Sequence, residues 1–329
     1  MIPPVVIAIG GNALIRLGER GTLAEQAAHV DDCMGRIAKL AAKGWPLVIT
    51  HGNGPAVGNI LIQMECARDT VPPMPLYIAD ADSEGAIGFL LQQSLYNHLL
   101  GHIRGHVHWN QPRLPSGSIS DACVLSVVTQ VVVDRDDPAF GSPTKPVGPF
   151  YTEAEAAILG MERGWTIAGD AGRGWRRVVP SPRPIRVVEA AAIKRLVEGG
   201  DIVIAAGGGG VPVVEAADGR LSGVDAVIDK DMASAVLALQ LGAKMLVILT
   251  SVDCVYLDYG TEFQRRVPRM DACEARAYLD AGQFAPGSMG PKVEAAALFI
   301  EGGGSEALVT SPEALADALG HRAGTWVSP

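Results

Sequence analysis

The sequence predicts an α/β fold: a mostly parallel β-sheet with helices against both faces. Short, continuous apolar runs of strand length alternate with longer segments whose apolar residues recur at helical spacing. Glycine-rich turns stand at the joins. The chain has 329 residues, 48% of them hydrophobic and only 19% charged, which suffices for a large buried core and argues against disorder. Strands that are apolar throughout are buried on both faces, and that arrangement is typical of parallel sheets.

The elements read in order as follows. Val5 to Ile9 is an unbroken apolar run of strand length. Thr22 and Glu25 make a capping box, and Val30, Met34, Ile37 and Leu40 follow at helical spacing until Gly44. Residues 47–50 form the next strand. Pro55 suits the first turn of a helix carrying Val57, Ile60, Leu61 and Met64. Residues 76–78 read as a strand, 83–99 as a helix and 124–133 as β-rich. Residues 134–177 are rich in Pro, Gly and charge and read as an excursion from the main sheet, with one short helix near 152–160. The rhythm resumes with a strand at 202–206, a helix after Asp229 and a strand at 245–249. A helix then opens at Pro291, a strand follows at 308–310, and Ser311 approximates a cap.

Charge and cysteine usage exclude several classes. The net charge of −9 lacks the basic excess of a nucleic-acid binder. Cys33, Cys66, Cys123, Cys254 and Cys273 are scattered and odd in number, without a CxxC pair. They read as reduced thiols in a cytoplasm. The first residues lack the basic region and cleavage site of a signal peptide. No apolar run approaches the roughly 20 residues of a membrane span.

Four glycine-rich segments sit at strand ends or helix starts: Gly10-Gly11-Asn12, Gly52-Asn53-Gly54-Pro55, Gly207 to Gly210, and Gly287-Ser288-Met289-Gly290-Pro291-Lys292. Glycine lets the backbone approach a ligand, and helix N-termini present free N–H groups with partial positive charge. In a parallel sheet such turns gather at the carboxyl edge. One such turn is ordinary βα geometry, but four at equivalent positions point to phosphate. There is no GxxxxGK[ST] loop, which argues against a Walker-type ATPase.

Lysines stand beside these turns. Lys230 lies between Asp229 and Asp231 at a helix start, and Lys292 sits in the first turn of another helix. A lysine there opposes the helix dipole, and a bound phosphate supplies a reason for it. Lys145 occupies the stiff Pro143-Thr144-Lys145-Pro146 segment. His51, beside a glycine turn, reads as packing at a strand end. The residues themselves single out no metal ligands.

Together these segments resemble carbamate kinases of the amino-acid-kinase family. The resemblance rests on residues 8–14, His51-Gly52-Asn53-Gly54-Pro55, residues 143–151 and 176–182, residues 205–212, Val227-Ile228-Asp229-Lys230-Asp231, and residues 287–293, in the family's order. It implies an open αβα sandwich on a mostly parallel eight-stranded sheet, with a small protruding subdomain near 134–177. It implies a single domain over 1–329 that pairs as a homodimer. Its half near 1–200 would bind carbamate, and its half near 201–329 the nucleotide. The implied reaction interconverts ATP plus carbamate with ADP plus carbamoyl phosphate, using Mg²⁺.

In that scheme Lys230 and Lys292 contact the transferring phosphoryl oxygens, Asp231 orients Lys230 or the metal, and Lys145 reaches in from the subdomain and excludes water. Gly10, Gly11 and Asn12 donate to the phosphoryl group or carbamate, with Gly52, Asn53 and Gly54 on the acceptor side. The nucleotide falls to Gly208, Gly209, Thr250, Ser251, Asp253, Tyr256, Ser288, Met289 and Gly290.

The chain departs from the family pattern at Ala56, where Gln is usual. Asp82-Ser83-Glu84-Gly85 replaces a usual Ser-Gln-Gly, and Ser251 and Cys254 replace a usual Asp and Gly. Asp82 and Glu84 put two carboxylates near the expected acceptor pocket, which opens an alternative: an acyl-phosphate kinase acting on a different N-carboxylated amine. A nicotinamide-dependent oxidoreductase, resting on residues 52–58 and on Asp80 after a later strand, leaves Lys230 and Lys292 without a task. A nucleotide sensor without catalysis leaves the lysines equally unexplained.

Overall fold

The computed structural model describes residues 2–11, 19, 21–103, 123–169, 174–285 and 287–329. Of the turn residues named above, Asn12 lies outside this set. The chain runs β1 (Val5–Ile9), α1 (Leu23–Ala41), β2 (Leu47–His51), α2 (Gly54–Cys66), α3 (Leu76–Ile103), β3 (Val124–Ser126) and β4 (Gln130–Val133). It continues through β5 (Lys145–Tyr151), α4 (Glu153–Arg163), β6 (Ile167–Gly169), β7 (Trp175–Val179), β8 (Pro184–Val187), α5 (Ala190–Glu198) and β9 (Ile202–Ile204). Then come β10 (Val211–Glu215), β11 (Leu221–Gly223), α6 (Lys230–Leu241), β12 (Met245–Leu249), β13 (Val255–Leu257) and β14 (Arg265–Val267). The last elements are β15 (Arg269–Asp271), α7 (Ala272–Asp280), α8 (Met289–Glu301), β16 (Glu306–Thr310), α9 (Leu315–Ala318) and β17 (Thr325–Ser328).

Eight strands form the main sheet, in the order β15-β17-β16-β12-β1-β2-β9-β3. Every pairing in it is parallel except β16 with β17. The two-residue strand period sorts the apolar side chains to two faces. Val5, Ile7 and Ile9 join Leu47, Ile49, Met245, Val247 and Leu249 in one core, closed by Met34 and Ile37 of α1 and Leu91, Leu95 and Leu99 of α3. Val6, Ala8, Val48, Leu246 and Ile248 join the other, closed by Leu237 of α6 and Val293 and Phe299 of α8. The sheet is thus covered on both sides, as an open αβα sandwich.

The helix ends follow local chemistry. Thr22 accepts from the Glu25 backbone, and the Glu25 carboxylate accepts from the Thr22 N–H at 2.7 Å. That capping box starts α1. Thr152 and Glu155 repeat it at α4, which ends at the left-handed Gly164. β5, β7 and β6 form a separate antiparallel sheet, and α4 lies between β5 and β6 in the chain. β4, β8, β10 and β11 make a further small sheet.

Three sequence expectations are corrected. Residues 76–78 are not a strand; they open α3, which runs unbroken from Leu76 to Ile103. A three-residue apolar run does not distinguish strand from helix. The deciding contact is remote: the Asp225 carboxylate accepts from the Leu76 N–H at 2.9 Å and caps the helix from another loop. Residues 124–133 are two strands in two sheets, β3 and β4, divided where the Val127 N–H turns to the Ile204 carbonyl. Finally, α8 opens at Met289, two residues before Pro291.

Phe299 is fully buried on α8, and its ring fills the space beside Gly304. Truncation there removes an aromatic ring that the close-packed surroundings cannot replace. Phe299→Ala is expected to cost about 3–5 kcal/mol of stability, read from urea unfolding; a cost below about 1 kcal/mol would contradict this packing.

Candidate active site

Register brings the turns together. Ile9 lies opposite both His51 and Leu249, so β1, β2 and β12 end on one row. The backbone continues that row: the Gly10 N–H donates to the Leu249 carbonyl at 3.2 Å and the Gly52 N–H to the Ile9 carbonyl at 2.9 Å. Gly10, Gly52 and Thr250 therefore emerge side by side at the carboxyl edge, where ligands bind in open α/β sheets. A side chain at Gly52 would press on the Gly11 backbone at 2.8 Å, so glycine is required for that approach.

These turns floor a cleft of about 860 Å³ lined by Gly10, Gly11, Gly52, Asn53, Gly54, Lys145, Gly208, Asp229, Lys230, Asp231, Thr250, Ser251, Gly287 and Lys292, among others. Three of the four glycine segments enter it directly at their turns, and Gly287 brings the fourth.

Within the cleft three lysines meet two carboxylates. Asp229 caps α6, with one oxygen accepting from the Asp231 N–H at 2.9 Å and the other from Lys145 Nζ at 3.0 Å. Asp231 is buried at 3% side-chain exposure, and its two oxygens are shared between Lys230 and Lys292, the latter at 3.3 Å. Lys292 Nζ also donates to the Ser288 carbonyl at 3.0 Å. Each lysine comes from a different element: Lys145 from β5, Lys230 from α6 and Lys292 from α8. Burial pushes the Lys230 pKa down and the neighbouring Lys292 adds to this, while Asp231 works against both. Burial would raise the Asp229 carboxyl; Lys145 and Lys230 outweigh it and hold Asp229 below the usual carboxylate range.

A buried polar link fixes the start of α6. Thr50 and Ser234 share a hydrogen bond of 2.6 Å, and the Ser234 hydroxyl contacts the Lys230 carbonyl at 2.6 Å. The end of β2 is thereby tied to the turn that carries Lys230. Sequence reasoning missed Thr50, Ser234 and the tethering role of Asp229. Only Asp229 carried a signal, as an Asp one residue before a helix.

The remaining predicted residues divide. Thr250, Ser251, Tyr256, Ser288 and Met289 line an adjoining cavity of about 370 Å³ together with Asp258, Tyr259, Gln283 and Phe284. Thr250 and Ser251 belong to both spaces. Asp253 lines neither: it accepts from Arg266 and from the Tyr256 hydroxyl, each at 2.8 Å. Gly290 stands in the first turn of α8, outside the lining of both. Gly208 lies in the main cleft, away from the adjoining cavity, and a side chain there would strike the Asn53 amide. Gly209 is buried, and a Cβ there would meet the Ile228 carbonyl at 2.5 Å.

Behind the cleft, Asn53 donates to Asp80 at 3.1 Å and to Ser83 at 2.8 Å, so both its amide hydrogens point away from the opening. Burial pushes the Asp80 carboxyl up to about 7. Asp80 lies inside α3, not after a strand, which removes the acid on which the nicotinamide reading rested. His51 is fully buried and burial drives its pKa down to about 4, so it is a neutral packing residue at a strand end. The two carboxylates that differ from the family pattern do not reach the cleft lining: Asp82 is exposed, and Glu84 is buried against backbone N–H groups. All five cysteines are free, and Cys33 and Cys254 are buried. Among the described residues no helix is long and apolar enough to cross a membrane.

The model of the amino acid kinase family matches residues 3–311. The carbamate kinase of Pyrococcus horikoshii is 47% identical over 327 residues, covering 99% of both chains. A structure of carbamate kinase from Giardia lamblia bound to AMP-PNP superposes with a TM-score of 0.87 at 40% identity, covering 99% of this chain and 98% of that one. A crystal structure of an Aeropyrum pernix protein gives a TM-score of 0.88 at 44% identity over 98% of this chain and 99% of that one. The chain belongs to the amino acid kinase family, with carbamate kinases as its full-length relatives.

Proposed function

We propose that the chain interconverts ATP plus carbamate with ADP plus carbamoyl phosphate. The observation that carries this reading is the meeting of Lys145, Lys230 and Lys292 over the glycine turns of one cleft. Carbamate is already an anionic oxygen nucleophile, so the reaction needs no general base, and His51, the histidine beside the turns, is buried and neutral. What the reaction needs is relief of repulsion between two anions and an in-line approach.

The chain's groups fit those needs. Lys230 and Lys292 neutralise the transferring phosphoryl oxygens, with Asp231 holding both ammonium groups at one point. Lys145 closes over the acceptor from β5. The Gly10 and Gly52 N–H groups are spent on the Leu249 and Ile9 carbonyls, so it is Gly11 and Gly54 that offer backbone N–H groups at the floor, and the adjoining cavity with Tyr256, Ser288 and Met289 takes the nucleotide's base and sugar. Asp229 and Asp231 are both engaged by lysines, and no group of three or more His, Cys, Asp or Glu gathers as a metal cage among the described residues. That donor set fits Mg²⁺ carried by the nucleotide's phosphates rather than held by the protein alone. When bound, the ion neutralises phosphate charge. We also read the chain as a cytoplasmic homodimer. The free cysteines support the compartment, and Phe89 and Tyr96, exposed two turns apart on α3, support the pairing.

ATP formation from MgADP and carbamoyl phosphate tests the activity directly, and no signal from folded protein would defeat it. Lys292→Ala is expected to fold normally and to turn over at least about 100-fold more slowly, the scale of losing one donor to a developing charge. Near-normal turnover would remove Lys292 from the mechanism. Asp231→Ala strips the shared anion from two buried lysines and is expected to cost about 3–5 kcal/mol of stability at neutral pH. Lys230 then titrates lower in the folded chain than in the unfolded one, which binds the extra proton, so stability rises with pH. The penalty in urea unfolding therefore shrinks toward alkaline pH, and a pH-independent penalty would contradict the charge account.

A further inference from the structure

The turn after β9 is held in an unusual way. Ala206, Gly208, Gly209 and Gly210 have φ values of 48°, 69°, 102° and 82°. Glycine adopts such left-handed backbone freely, but Ala206 persists there only where its surroundings enforce it. The enforcement comes from α3 and from the β3–β4 connection. The Glu84 carboxyl accepts from the Gly207 N–H at 2.8 Å and from the Thr129 N–H at 3.0 Å. The Thr129 hydroxyl accepts from the Ala206 N–H at 3.0 Å and donates to the Val127 carbonyl at 2.7 Å. One residue further on, Gly208 lines the cleft against the Asn53 amide.

Glu84 is 1% exposed. No Lys or Arg pairs with it among the described residues. Two other titratable groups face it. His51, at the end of β2, donates from Nδ1 to the Gly52 carbonyl at 3.2 Å and leaves Nε2 buried without a partner. A Cβ on Gly207 would meet both that Nε2 and Glu84 Cγ, so the two side chains converge on one point. Glu189, capping α5, is engaged by the Gln130 N–H at 2.8 Å and adds like charge. Burial first, and Glu189 with it, raise the Glu84 carboxyl to about 8 against the two backbone donors.

We propose that Glu84 is a positioning residue for phosphoryl transfer: its buried carboxyl, bonded to the Gly207 and Thr129 N–H groups, holds the Ala206–Gly210 turn beneath the acceptor site. Ionisation of that carboxyl, which no Lys or Arg pairs among the described residues, places a negative charge behind the point where two anionic substrates meet. The inference rests on the reading of the cleft given under Proposed function. It assigns to this chain a titratable floor where a Gln at the same position would give a neutral one.

The test compares full-length wild type with Glu84→Gln, which keeps the side chain's size and an acceptor for Gly207. The quantity read is kcat/KM for carbamoyl phosphate in ATP formation from MgADP, from about 1.5 units below to about 1.5 units above the raised value near 8. The ratio of variant to wild type cancels the ionisation of substrate and lysines. It is expected to rise at least about threefold across that range, mainly through the KM of the anion. A ratio that stays constant overturns the proposal, since a purely structural role would lower activity equally at every pH. A second measurement needs neither folding of the variant nor turnover. With isotope-labelled glutamate carboxyls, wild-type NMR is expected to show one glutamate titrating near 8. If every glutamate titrates below about pH 6, Glu84 is an ordinary carboxylate and the proposal fails. Absence of ATP formation by wild type at all pH values would defeat the carbamate kinase reading instead, and leave the NMR result to decide on Glu84.

Discussion

Three ammonium groups in one cleft repel each other, and everything at the site is arranged around that cost. Asp231 spans Lys230 and Lys292, while Asp229 takes Lys145. Neither carboxylate is free-standing. Asp229 is simultaneously the N-cap of α6, so the position of the anion is set by helix geometry. Asp231 sits two residues on, in the first turn, where the helix dipole favours a negative charge. The same terminus that stabilises Asp231 disfavours Lys230 beside it. Lys230 is tolerated there because its ammonium reaches Asp231 and its stem lies over Gly52, whose bare Cα leaves the room.

Holding that cluster still requires a second, hidden layer of polar groups. Thr50 and Ser234 lock the end of β2 to the first turn of α6. Asn53 is anchored by Asp80 and Ser83, and the turn after β9 by Glu84 and Thr129. Buried groups like these are costly unless each finds a partner. They lie beneath the cleft rather than throughout the core, whose two halves are otherwise apolar on both sheet faces. The sandwich supplies stability through apolar burial, and the polar layer fixes the directions of the groups that meet the substrates.

The sheet and the cationic cluster were legible in the sequence because each depends on local pattern. Five-residue apolar strands, the capping box at Thr22, and glycine turns ahead of lysines are short-range signals. The misreadings have long-range causes. Residues 76–78 became helix because Asp225, far along the chain, caps Leu76. Glu84 looked like an acceptor-site carboxylate because it stands in a motif that neighbours the site. Helical phase instead turns it inward, toward Gly207, while Asp82 two residues earlier points to solvent. In each case a partner remote in sequence decided the outcome.

The lysine–carboxylate pairs also set how the cleft must respond to its ligands. In the proposed reaction, phosphoryl oxygens compete with Asp229 and Asp231 for the same ammonium groups. The gain on binding is then the difference between two ion pairs, not the full strength of one. Ground-state phosphate gains modestly from the exchange. A transition state, with charge spread over equatorial oxygens and poised between two anions, gains more from cations already gathered and desolvated. Lys145 differs from the other two in this respect. Its ammonium is about one-third exposed and its partner Asp229 about one-quarter, whereas Lys230 and Lys292 are more deeply buried. Its link is the one that solvent and substrate most readily replace. It also joins β5, outside the main sheet, to the helix that carries Lys230, so exchanging Asp229 for a substrate oxygen on Lys145 would tie the arrival of substrate to the placement of the small antiparallel sheet.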